Sequence, residues 1–356
     1  EVPLLLADRN FDIGPDGRLT GELLHKTDPE VMECFSPFTV VNGAIWPVVE
    51  VEPTTYRFRL LNGSNARTYR LVLTRDGEPD HQRITQIGTE GGLLLRPVAL
   101  PSQGLVLGSA ERADLLVDFS DLSPGVELTV WNTAAAPFNG TRADPEAAGR
   151  VDLEGLLPFP EVLRIRVVEG HRARRRVPKA LATDFEPVTR GELDDCVVRA
   201  VALVEHRSDV EGRPPMLTLR ELAEDATTDG PVIVVVERDE GGERVTRWRT
   251  VASRFEDTAT FFPTLGVPEI WRFINLTGDT HPMHVHLDTF QVLARHPAVV
   301  ELDEVTTTAG ATSAVVRIGR HPGDDIPHAL DENERGLKDT VRVNANEVVD
   351  IAVRFS

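Results

Sequence analysis

The stretch Thr280-His281-Pro282-Met283-His284-Val285-His286-Leu287-Asp288-Thr289-Phe290-Gln291-Val292 sets three imidazoles within six residues inside a run of β-formers. On an extended strand His284 and His286 leave the same face, being two residues apart, while His281 lies an odd step earlier and turns to the other. One strand can therefore face two metal centres. Pro282 lacks an amide hydrogen and resists ladder pairing, so His281 is expected at a bend or strand entrance. Imidazole ligates copper, zinc, iron and nickel alike, and the histidines by themselves do not name the metal. A bare His-x-His pair also occurs as ordinary polar residues on an exposed strand face; the full HPMHVH run is denser than that reading needs.

Outward from this stretch, strands recur at short spacing with turn residues between them. They are expected over 39–42, 55–62, 69–74, 84–88, 105–107, 113–119, 127–132 and 162–168, with Gly14-Pro15-Asp16-Gly17 as a turn. In Tyr56-Arg57-Phe58-Arg59-Leu60 apolar residues alternate with arginines, the period of a half-buried strand. The pattern is that of an antiparallel β-sandwich. A shift of 213 positions lays Arg59-Leu60-Leu61-Asn62-Gly63-Ser64 on Arg272-Phe273-Ile274-Asn275-Leu276-Thr277, Leu71-Val72-Leu73 on His284-Val285-His286, and Thr68 on His281. The chain thus reads as two copies of one strand-turn-strand unit, only the second carrying the imidazoles.

Between the copies the texture changes. His171-Arg172-Ala173-Arg174-Arg175-Arg176 is a basic run, read as pairing with a neighbouring domain or staying solvated, and 216–225 reads as a short amphipathic helix. The expected organisation is a sandwich over 1–170, a long, partly helical linker over 171–230, and a second sandwich over 231–356 that opens at 232–236. The remaining histidines, His25, His81, His171, His206, His296, His321 and His328, have no ligand spacing and read as surface or loop residues.

The chain has 356 residues, with 38 basic against 57 acidic side chains. A net charge of −19 argues against nucleic acid or an anionic membrane surface as partner. No apolar run reaches bilayer-spanning length. The first residue is Glu1, so an upstream segment is expected. Cys34 and Cys196 form no Cys-x-x-Cys pattern; one disulfide and two buried thiols both remain open, and with them the compartment.

HPMHVH followed by a Phe-containing strand resembles the His-Pro-x-His-x-His signature of the multicopper oxidases. The resemblance implies cupredoxin-like Greek-key sandwiches and copper in type 1, type 2 and type 3 centres. It makes His281 a type 1 ligand, His284 a type 2 ligand and His286 a type 3 ligand. Phe38 to Leu73, Glu111-Arg112-Ala113-Asp114 and Glu332 to Val341 are similar to bacterial spore-coat laccases and phenoxazinone synthases. This implies an oxidase that takes single electrons from phenols or aminophenols and reduces dioxygen to water. Asp279 and Asp288 are candidates for orienting the imidazoles.

The chain departs from the family in two places. Cys196 is not bracketed by histidines as in the family's closing His-Cys-His segment, and no second His-x-His pair exists. The chain is therefore read as the second domain and most of the third, truncated at its C-terminus, whose partners include N-terminal and C-terminal segments of the same protein. The alternative is a non-catalytic copper-binding cupredoxin-like protein. A cupin-type metalloenzyme also carries His-x-His on strands, but the duplicated sandwich argues against it.

Overall fold

The alternation at 56–60 is realised in the strand Thr55–Asn62, where Phe58, Leu60 and Asn62 are buried while Arg59 and Leu61 face outward. A computed structural model describes residues 1–24, 33–140, 160–182, 187–206, 216–225, 230–239, 242–303, 312–319 and 330–356. The chain divides into two compact units, and the described strands carry nearly all of its regular structure.

The first unit comprises Glu1–Thr27, Glu33–Glu186 and the sequence-distant segment Asp331–Thr340. One of its sheets runs in the order Gly92–Ala99, Ile84–Thr89, Arg112–Asp118, Thr55–Asn62, Val2–Arg9, Phe38–Val41, Ala44–Ile45. The facing sheet runs Leu105–Leu107, Tyr69–Arg75, Glu127–Asn132, Glu161–Val167, Val48–Val51. Leu6, Phe58, Leu60, Leu73, Leu115, Leu128 and Ile165 are among the residues that fill the space between them. Two pairings are parallel, Val2–Arg9 with Thr55–Asn62 and Glu161–Val167 with Val48–Val51, so the sandwich is mixed rather than purely antiparallel.

The basic run belongs to this first unit. Arg172 donates to the carbonyls of Ser120 and Leu122, and Arg174 pairs with Asp118 at 3.1 Å. The run therefore closes onto its own sandwich, where the expectation was a neighbouring domain or solvent.

The second unit contains Pro187–Leu330 and Val341–Ser356. Its main sheet runs Ala314–Gly319, Ile233–Asp239, Gly242–Ala252, Met216–Glu224, Val198–His206, Glu269–Asn275, Glu347–Val353, Phe290–Leu302. Phe290–Leu302 also pairs with Ala314–Gly319, which closes the sheet on itself. The stretch 171–230 is consequently not a simple linker: Val198–His206 and Met216–Glu224 are sheet strands, and the expected helix at 216–225 is the second of them. The apolar residues of Met216-Leu217-Thr218-Leu219-Arg220-Glu221-Leu222 fit either period, and pairing with Val198–His206 decides for extension. A four-residue helix, Arg190–Leu193, remains in that region.

One wall of this sheet is buried on both faces. Ala200, Ala202, Val204, Ile274 and Val348 point into the closed interior. Val201, Leu203, Phe273, Val349, Ile351 and Val353 point the other way, into a second core shared with Val285, Phe290, Val341 and Val343. Every residue of Glu347–Val353 is buried, which is why that strand reads as an unbroken run without alternation. The second core is what seats the histidine strand.

Candidate metal centre

His281–His284 forms a short strand paired with Thr340–Val343. The regular strand ends at His284, and the chain bends over 286–288 with Leu287 at φ 78° and its side chain in solvent. The in-and-out alternation nevertheless survives: Val285 is buried in the second core between two exposed histidines. The rings of His284 and His286 meet edge to face, with centroids 4.9 Å apart.

His281 turns elsewhere. Its Nε2 lies 2.8 Å from Thr277 Oγ1 and 3.1 Å from Asp279 Oδ1. Asp279, one of the two carboxylates expected to orient an imidazole, therefore touches one. Asp288 does not. It accepts from the Thr289 amide and from the Ser356 amide and hydroxyl. Burial alone would raise its pKa, but those hydrogen bonds hold it below the usual carboxylate range.

The turn before His281 is built on Asn275, which is fully buried. Its Nδ2 donates to the carbonyls of Asp279 at 2.7 Å, Val343 at 3.0 Å and Asn344 at 3.0 Å. Its Oδ1 accepts from the Thr277 amide at 2.9 Å and the Thr277 hydroxyl at 2.8 Å. Asn62 does the same work in the first unit, donating to the carbonyls of Arg67 and Leu107 and accepting from the Ser64 amide. Ser64 Oγ then meets Tyr69 Oη at 3.3 Å, where Thr277 meets His281.

The two turns differ by one residue in length, since Asn62 reaches Arg67 but Asn275 reaches Asp279. The uniform shift therefore fails beyond the turn. Tyr69, and not Thr68, stands where His281 stands, and Val72 and Thr74 take the places of His284 and His286. The duplication also extends to the chain's end, which the sequence reading missed. Gly108 N donates to buried Glu111 as Asn344 N donates to buried Glu347. Opposite Thr55–Asn62, Asp114 pairs with Arg59, and opposite Glu269–Asn275, Asp350 pairs with Arg272. The signal was legible: Glu111, Asp114, Phe119 and Ser120 recur at identical spacing as Glu347, Asp350, Phe355 and Ser356.

A cleft of about 320 Å³ borders the motif, walled by Leu203, Leu217 and Leu219 and reaching Thr277, His281 and His284. Both cysteines are free thiols. Cys196 Sγ donates to the carbonyl of Glu192, and Cys34 Sγ meets Ser36 Oγ. His25, His321 and His328 lie outside the described residues.

Residues 232–356 match the model of the multicopper oxidase family. The whole chain aligns with a laccase from Bacillus subtilis at 30% identity, covering 57% of that protein. Over 232–356 the chain carries a multicopper oxidase domain, and along its whole length it is similar to laccases. A laccase from Haloferax volcanii is also 30% identical over the whole chain, which covers 47% of it. The crystal structure of the multicopper oxidase McoA from Aquifex aeolicus matches 99% of the chain at 26% identity and a TM-score of 0.60, with 59% of that structure covered. This chain thus spans about half the length of the curated relatives it matches. The multicopper oxidase domain implies copper in type 1, 2 and 3 centres. The donor set fits copper in kind: His284 and His286 are exposed neighbouring imidazoles, and His281 keeps Nδ1 clear of the Thr277 and Asp279 contacts made by Nε2.

Proposed function

We propose that this chain is the part of a laccase-like oxidase in which His281 serves the type 1 copper, His284 the type 2 copper and His286 one of the type 3 pair. The observation that carries this reading is the division of one short motif into two donor directions, an adjacent His284/His286 pair and a His281 held in its own turn. When bound, the coppers supply one-electron acceptors that link a phenol or aminophenol to the four-electron reduction of dioxygen to water. The chain's own contribution is orientation. Val285 anchors the strand in the second core and thereby presents His284 and His286 on its outer side.

The remaining donors, a thiolate among them, are proposed to come from N-terminal and C-terminal segments of the same protein. The internal duplication supports this. In the first unit the strand Tyr69–Arg75 is flanked by Leu105–Leu107 on one edge and Glu127–Asn132 on the other. In the second, His281–His284 pairs with Thr340–Val343 alone among the described strands. The strand also borders the cleft walled by Leu203, Leu217 and Leu219, the last 52% exposed.

The test is oxygen uptake by the complete, copper-supplied protein with phenol or o-aminophenol, alongside metal analysis. Copper-dependent turnover is expected; stoichiometric zinc or iron instead of copper would overturn the reading. His281→Ala is expected to abolish substrate oxidation and the blue absorption while leaving the cluster coppers bound. Equal loss of every copper would count against separate centres.

A further inference from the structure

We infer that the first sandwich holds a dry apolar cavity that takes up a small apolar gas molecule, dioxygen in an oxidase. A void of about 60 Å³ lies between its two sheets, bordered by fifteen side chains, every one of them Leu, Ile, Val or Phe. Leu6, Phe58 and Leu115 reach it from one sheet, and Leu73, Val162 and Ile165 from the other. The strand register accounts for it. Between Val130 and Trp131 the ladder with Glu161–Val167 slips by one residue, so Val162 has no partner opposite in that ladder, and the adjacent Val162 and Leu163 both border the void. Such a bulge bends its strand away from regular packing and opens space that the surrounding side chains do not close.

Size and lining together choose the occupant. Water would fit by volume, since it needs only about 10–15 Å³ of such space, but it also needs roughly two to four polar partners, and the lining side chains offer none. Ions and polar solutes are excluded on the same ground. An apolar cavity of about 150 Å³ takes benzene or xenon. At less than half that volume, this one has room for a single heavy atom or a diatomic molecule. On entering, such a molecule gives the lining the dispersion contacts that an empty void lacks, and it leaves water in doing so. The choice of dioxygen among apolar gases rests on the oxidase reading above; the gas site itself does not. The cleft beside the histidine motif has a different character, since it is about 320 Å³ and reaches Thr277, His281 and His284.

The experiment uses the complete, copper-loaded protein without a reducing substrate, so that no dioxygen is consumed. Crystals under xenon pressure are expected to show an anomalous peak between the two sheets of the first unit, beside Val162, with no ordered water there before gas is applied. Dioxygen is paramagnetic, and in solution under its pressure the methyl protons of Leu73, Leu115 and Val162 should relax several-fold faster than those of Leu122, Leu128 and Val51. The latter three are buried in the same core but do not border the void. Val117→Ile combined with Val162→Ile adds a methyl group from each sheet; it should weaken the xenon peak and the relaxation contrast and raise the first unit's melting temperature. Val51→Ile, the same substitution away from the void, should lower that temperature by overpacking. The relaxation contrast in the native protein decides the matter even where the double variant does not fold. Absence of a xenon peak, an ordered water in the void, or equal relaxation of the two groups of methyls would overturn the proposal. Loss of copper-dependent oxygen uptake with the relaxation contrast intact would instead sink the oxidase reading alone.

Discussion

Arg67 and Asp279 occupy equivalent places and show how one residue decides what a turn can hold. Arg67 is among the most deeply buried side chains, its guanidinium between Asp8, the carbonyl of Ser36 and the ring of Phe35. Asp8 in turn accepts from the Ser36 amide at 2.7 Å, so the pair ties three distant segments together. Removing one partner strands the other charge without water, a loss of about 3–5 kcal/mol. Asp8→Ala is accordingly expected to lower first-unit stability by that order in urea titration. Replacing Asp8 and Arg67 together by Leu and Met should recover most of it, because no uncompensated charge remains. A double variant as unstable as Asp8→Ala would contradict this.

At the scale of elements, the histidine strand is short and gains little from its own ladder. It is held from below by Val285 in the second core and at its entrance by Asn275. Asn275→Ala removes three donated and two accepted hydrogen bonds and leaves buried carbonyls unpaired, at a cost of roughly 1–3 kcal/mol. Amide exchange should accelerate over 276–286 before it does over Glu347–Val353, whose residues are all buried. Uniform acceleration across the second unit would mean that the turn is not a separable support.

For the whole molecule, acid acts in opposite senses on two buried carboxyls, one in each unit. In the second unit Asp350 is buried, which by itself raises its pKa, but the Arg272 fork outweighs burial and holds it at about 2. A carboxyl depressed on folding stabilises above its unfolded value near 3.8 and loses that contribution as pH falls towards 2. In the first unit Glu90 goes the other way. Burial raises its pKa and the neighbouring Glu111 carboxylate, which shares Lys338 at 3.3 Å, raises it further, although Lys338 at 2.8 Å pulls it back. A carboxyl raised on folding contributes stability that is present in acid and lost as pH rises through the folded value. Glu90→Gln should therefore change the first unit's melting temperature more favourably at pH about 7 than at pH about 4. A difference independent of pH would remove Glu90 as its source.

The three imidazoles, their division into two directions and the repeated sandwich were determined by sequence alone, because strand alternation is a period-two rule that needs no tertiary information. It carried through even where the regular strand ends at His284, since burial of Val285 enforces the same alternation. The register of the repeat beyond the turn was not available locally. A one-residue difference between turns is invisible until the asparagine side chains show which carbonyls they reach. Met216–Glu224 was likewise undecidable from its own residues, since apolar spacing there suits helix and strand, and only the neighbouring Val198–His206 supplied the edge that extends it. The partners of Asp279 and Asp288 belong to the same class. Both are acidic residues close to the histidines in sequence, yet one turns to His281 and the other to Ser356, a choice made by where the closed sheet brings the end of the chain.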